Sequence, residues 1–215
     1  MASIGKLVTA AAGLAFAVAL IAGAASGEDD GRSADLFELC MQCHGEAGEG
    51  SELALAPAIA GLGDWYVAAQ LRKFQSGARG LNPHDVGGLR MHPMSRTLKS
   101  DEDLEAVAAY VAALPRARPE PVLEGGDPSK GQVLYTTCAA CHGPDGAGNR
   151  AINAPRLDGA SDWYLLSSLE KYKAGIRGGN PQNPNAVLMR GMAAQLSDEQ
   201  AMKDVIAYIM TLDGQ

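Results

Sequence analysis

The chain has 215 residues, room for one or two domains, and carries a formal net charge of −7 at pH 7. Excess acid disfavours a nucleic-acid partner and suits a basic docking patch on another protein. With only 5% aromatic residues beside 26 Gly and 11 Pro, two cores would be short of apolar bulk, so another group is expected to supply it.

Met1 to Lys6 holds one positive charge, Leu7 to Ala25 has none, and acid arrives at Glu28-Asp29-Asp30. Residues 1–25 read as a secretory signal peptide cut near Ala24 or Ala25. The alternative is an uncleaved anchor, because an apolar run of about 20 residues just spans a bilayer. Its Ala and Gly make it a weak membrane helix. Either way the rest is exported, which places it in the periplasm, with loose membrane association left open. Lys6 is the only charged residue before Glu28, so cleavage takes the formal charge from −7 to −8.

Beyond that segment the chain is duplicated. Cys40, Cys43 and His44 recur 98 residues later as Cys138, Cys141 and His142. At the same offset Pro57 maps to Pro155, Asp64-Trp65-Tyr66 to Asp162-Trp163-Tyr164, and Arg79-Gly80 to Arg177-Gly178. Met91 and Met94 likewise map to Met189 and Met192. One ungapped offset means two copies of one fold. The Pro-rich stretch from Pro115 to Pro128 separates them, since its prolines stop a helix and favour an extended path. The expected domains are 32–114 and 129–215, with 115–128 as linker.

Each repeat reads as all-α. Asp64 or Asp162 is placed to cap a helix that opens on Trp-Tyr, with Gly77 or Gly175 beyond its end. The last helix of the second repeat follows Ser197-Asp198-Glu199-Gln200, which has capping-box spacing. It shows Met202, Val205, Ile206 and Ile209 at helical intervals. In the first repeat Ser100 precedes Leu104, Val107, Ala108 and Val111, and Pro115 closes the helix. Strand-like alternation is absent.

Cys40-Met41-Gln42-Cys43-His44 and Cys138-Ala139-Ala140-Cys141-His142 both fit the C-x-x-C-H pattern of c-type haem attachment. Two residues between the thiols let both reach the vinyl groups on one haem edge, and the His that follows is held beneath the iron. Disulfides explain neither the adjacent pairs nor the trailing His, and zinc ligand pairs usually lie closer together. Two haem c groups are therefore expected, each making up the missing core of its domain.

The sixth ligand separates a carrier from an enzyme, and Met opposite His raises the potential of a carrier. The repeated Met pairs lie upstream of the final helices. Met94 and Met192 are preferred, because Pro93 and Gly191 before them suit an irregular loop, with Met91 and Met189 packing on the porphyrin. His84 and His92 also lie near the first site. They have no counterparts in the second repeat, where Gln182 and Arg190 stand, and read as surface residues.

From about Ser33 to Leu212 the sequence resembles the cytochrome c4 family of tandem di-haem electron carriers. The likeness rests on both haem motifs, Ala56-Pro57 and Ala154-Pro155, the Asp-Trp-Tyr helices, and Met94 and Met192 ahead of helices ending in Ala109-Tyr110 and Ala207-Tyr208. It implies two single-haem domains about a pseudo-two-fold axis, propionate edges facing, with His44/Met94 and His142/Met192 ligation. It also implies that the carbonyls of Pro57 and Pro155 accept from the ligand His and fix its ring. Members pass electrons from the respiratory chain to terminal oxidases, so redox partners such as a cytochrome bc complex, a terminal oxidase or a dehydrogenase are expected. The same body resembles di-haem subunits of flavocytochrome sulfide dehydrogenases. A freely diffusing shuttle, a dedicated subunit of a dehydrogenase complex and, with less support, a haem enzyme are the functional readings. The two haems are expected to differ in potential, in an order the sequence leaves open.

Overall fold

A computed structural model of the chain describes Met1 and residues 31–214. The proposed signal segment lies outside the described residues. Among those described, no helix is long and apolar enough to cross a membrane.

The first repeat contains α1 (Arg32–His44), α2 (Asp64–Gln75), α3 (Val86–Ser95) and α4 (Asp101–Ala113). The second contains α5 (Pro128–His142), α6 (Asp162–Lys173), α7 (Pro184–Ala193) and α8 (Glu199–Ile209), with a short 3₁₀ turn at Arg150–Ile152. The only β pairing among the described residues is two isolated bridges, Ser51–Ala56 and Asn149–Ala154, again one repeat apart. The architecture is all-α among the described residues, two helical domains in tandem.

In each repeat the first and last helices cross, and the third packs against the second. Phe37 on α1 meets Tyr110 on α4 at 5.1 Å between rings, and Tyr135 on α5 meets Tyr208 on α8 at 5.3 Å. Around these rings lie Leu104, Val107, Ala108 and Val111 in one core, and Met202, Val205, Ile206 and Ile209 in the other. Each large apolar side chain buried this way contributes about 1.5–3 kcal/mol. At the α5–α8 crossing the backbones come so close that a Cβ on Gly131 would overlap the Asp204 carbonyl.

Helix starts differ in part from expectation. Ser100 caps α4, accepting from Asp103 N–H at 3.1 Å. Its partner at the repeat offset, Asp198, caps α8 by accepting from Ala201 N–H at 2.9 Å, so the cap falls one residue after Ser197. Asp64 and Asp162 are the first residues of α2 and α6, one past the cap positions Gly63 and Ser161, and Asp162 Oδ1 accepts only from the next N–H, Trp163, at 2.7 Å. Asp162 is instead taken up by the linker: its Oδ2 accepts from Val122 and Leu123 N–H, both at 2.7 Å. Asp204 accepts from Asp127 N–H at 2.9 Å, and Asp158 receives linker Arg116 at 2.6 Å. These buried aspartates bind the linker to the second repeat, charge-assisted bonds that an exposed cap would not need. The expected loop around the second Met of each pair is helix instead. Met94 lies in α3, which tolerates Pro93 in its last turn, and Met192 lies in α7.

Candidate functional site

Each haem-motif His is the last residue of its helix, and the glycine after it turns the chain out. Gly45 and Gly143 have φ of 83° and 82°, conformations open to glycine at no steric cost. The chain then returns: Gly50 N–H reaches His44 C=O at 2.7 Å, and Gly148 N–H reaches His142 C=O at 2.8 Å. That return sets Pro57 O 2.8 Å from His44 Nδ1 and Pro155 O 2.7 Å from His142 Nδ1. A carbonyl only accepts, so Nδ1 carries the proton and Nε2 is left as a free lone pair. Both rings are buried, which lowers their pKa, while the bond to the proline carbonyl opposes the shift. Neutral imidazole with an oriented Nε2 is the form that binds iron.

Cys40 and Cys43 stand one helical turn apart on α1, as Cys138 and Cys141 do on α5. Burial pushes the Cys40 and Cys138 thiols up. Cys40, Cys138, Cys141, His44 and His142 line a single cavity of about 1530 Å³ that runs through both repeats. Cys43 is exposed and stands outside the lining.

Of the candidate methionines, Met91 lines this cavity and packs against the first core, whereas Met94, half-buried three residues later, stands outside the lining. In the second repeat Met189 and Met192 both line it, and Met192 Sδ accepts from Gln195 Nε2 at 3.6 Å. His84 is exposed at the cavity wall. His92 directs Nδ1 to Phe74 O at 2.5 Å and stands outside the lining.

The charged residues of the cavity were not foreseen as functional. Lys73, Arg79, Arg156, Lys171 and Arg177 line it, against one carboxylate, Asp85. Arg79 lies over Phe74 at 4.5 Å and gives Nη2 to Tyr164 Oη at 3.1 Å across the domain boundary. Its buried Nε has no partner. Arg177 lies over Tyr172 at 4.3 Å and donates to Ser168 Oγ at 2.8 Å. Burial alone would raise the Tyr164 phenol, yet Arg79 and Arg177 hold it below its ordinary value. A net-acidic chain thus encloses a positive cavity, and buried guanidiniums with spare donors call for anions. The haem propionates are such anions, so apolar walls, paired thiols, oriented imidazoles and cations together fit two haem c groups. The repeat of Arg79 as Arg177 was the sequence signal for this role.

The cytochrome c family profile matches residues 32–115 and 128–213. Similar proteins include a thiosulfate dehydrogenase electron acceptor from Thiomonas intermedia (strain K12), 33% identical over 171 residues, covering 75% of this chain and 73% of the relative. A cytochrome c4 from Stutzerimonas stutzeri is 32% identical over 185 residues, covering 82% of this chain and 84% of its own. The crystal structure of reduced recombinant cytochrome c4 from Pseudomonas stutzeri superposes with a TM-score of 0.68 at 27% identity, over 87% of this chain and 100% of that one.

Proposed function

We infer, since this chain belongs to the cytochrome c family and within it to the tandem di-haem cytochrome c4 group, that it is a periplasmic shuttle between a respiratory donor and a terminal oxidase. It is a di-haem electron carrier, not an enzyme, and works with redox partner proteins. The observation that carries the fuller reading is the one cavity joining two imidazoles, each oriented by a proline carbonyl.

Bound haem supplies reversible one-electron chemistry at iron, and the protein holds and tunes it. Cys40 and Cys43, and Cys138 and Cys141, provide the thioether links. His44 and His142 provide Nε2 as the fixed ligand, and Pro57 and Pro155 keep the Nδ1 proton in place. As the methionine that would complete each iron's ligand set we assign Met91 and Met189 in place of Met94 and Met192. Met91 reaches the cavity where Met94 does not, and the repeat offset pairs it with Met189. Arg79 and Arg177 hold propionates.

The partners proposed are a cytochrome bc complex or a dehydrogenase as donor and a terminal oxidase as acceptor. The likeness to a thiosulfate dehydrogenase electron acceptor supports the dehydrogenase as one such donor. Stopped-flow mixing of the holoprotein with each candidate tests this. Reduction by a donor and reoxidation by an oxidase, both slowing as salt screens the acidic surface over about 10 Å at 0.1 M, are expected. Isolation only as a fixed stoichiometric complex with a dehydrogenase would replace the shuttle by a dedicated subunit.

A further inference from the structure

The repeat offset equates much of the surroundings of the two haem sites, and charged residues at the cavity break the equivalence: Arg156 stands where the first repeat has Ala58, and one buried carboxylate of the first repeat has no counterpart in the second. Asp85, the N-cap of α3, is 3% exposed, and its Oδ1 receives Lys171 Nζ of α6 at 2.9 Å across the domain boundary. The offset carries Asp85 to Asn183, the N-cap of α7, and Lys171 back to Lys73 of α2. Among the described residues Lys73 makes no ion pair, and the buried Asn183 Oδ1 has no hydrogen-bond partner. All four residues line the shared cavity. The first repeat therefore brings a carboxylate to the cavity where the second brings a neutral amide.

That carboxylate is ionised at neutral pH. Burial pushes its pKa up, but the hydrogen bond and charge of Lys171, then Arg79 and the Gly88 N–H, outweigh burial and hold it below the ordinary range. Away from water its field is weakly screened.

We propose that Asp85, anchored by Lys171, sets the order of the two haem potentials, making the haem of the first repeat the lower. Asp85 stands on α3, the helix that also presents Met91 to the cavity, so its negative charge favours the ferric form there. Asn183 stands in the same place on α7 and gives the second site no such charge, while the ammonium of Lys171 belongs to the second repeat. A single electron then rests mainly on the second haem. An electron passing from a haem bound in the first repeat to one bound in the second would oxidise the first by one electron and reduce the second by one, with no proton or further reactant needed. The function of Asp85 is positioning charge, and it touches no reacting atom.

The proposal rests on two haems per chain, and a pyridine haemochrome count other than two would sink that premise before any potential is measured. The test is spectroelectrochemical titration of the full holoprotein, with midpoints assigned to repeats by the shifted haem methyl resonances. Asp85→Asn removes the charge and installs the residue that the second repeat carries at Asn183. It should raise the first-repeat midpoint and shift the distribution of one electron between the haems about three- to tenfold toward equality; tenfold is about 59 mV for one electron. Lys171→Gln should move the same midpoint the opposite way, which a merely structural role for the pair would not do. Asn183→Asp should lower the second midpoint. A higher first-repeat midpoint in the natural protein, unmoved midpoints, or Asp85→Asn and Lys171→Gln shifting in the same direction would overturn it.

Discussion

Ser161 of the second repeat accepts a hydrogen bond from Ala58 N–H of the first at 3.2 Å, and that N–H shares a peptide unit with the carbonyl that holds His44. The unit is thus gripped on both sides, by the ligand of one domain and the helix cap of the other. Ser161 maps at the repeat offset to Gly63, which has no hydroxyl, so the grip works in one direction only. Hydrogen bonds in series polarise one another, so the second domain strengthens the bond that orients His44.

Ser161→Ala should therefore leave the buried Ala58 N–H unsatisfied, costing about 1–3 kcal/mol. Urea unfolding measures the loss. Nuclear magnetic resonance should show the His44 ring perturbed and the His142 ring unmoved.

Two glycines in helices should respond in opposite senses. Gly131→Ala drives a methyl into the Asp204 carbonyl and should destabilise by about 1–3 kcal/mol. Gly191→Ala in α7 meets nothing within 4 Å and should stabilise by about 0.5–1 kcal/mol through helix propensity. Thermal unfolding of both variants checks the pair.

Much of this was legible beforehand because a tandem repeat reports itself. The constant offset gave both haem motifs and the helix order, while the α8 cap was expected at Ser197 and falls one residue later, at Asp198. Contacts between the repeats leave no such trace. Nothing local distinguishes Asp162 as a cap from Asp162 as an anchor for linker N–H groups. Asp85 and Lys171 are 86 residues apart and pair only because two domains meet. The loop expected from Pro93 is helix because a proline in the last turn does not end α3.

The Asp85–Lys171 pair gives a pH dependence with a definite sign. The folded pKa of Asp85 lies below its unfolded value, so the unfolded chain binds the proton more readily. Its stabilising contribution is full above about pH 4, the unfolded value, and is lost as pH falls through the lower folded pKa. Asp85→Asn should be less stable than the natural chain at pH 7, and that gap should shrink by pH 3. Urea midpoints at the two pH values read it directly.

Met91→Ala and Met189→Ala should each open one coordination position and bind carbon monoxide in the reduced state, with the potential of that haem lowered. Met94→Ala should stay six-coordinate. Carbon monoxide binding by Met94→Ala but not by Met91→Ala would return the ligand to the second methionine of the pair.

The central claim is that this cavity holds two closed, six-coordinate haems whose work is to carry electrons. Anaerobic reductive titration of the holoprotein, followed by exposure to carbon monoxide, tests it most directly. Uptake of two electrons per chain, with no change in the reduced spectrum on adding the gas, is the predicted result. Uptake of one electron, or carbon monoxide binding at either haem of the unaltered chain, would contradict it.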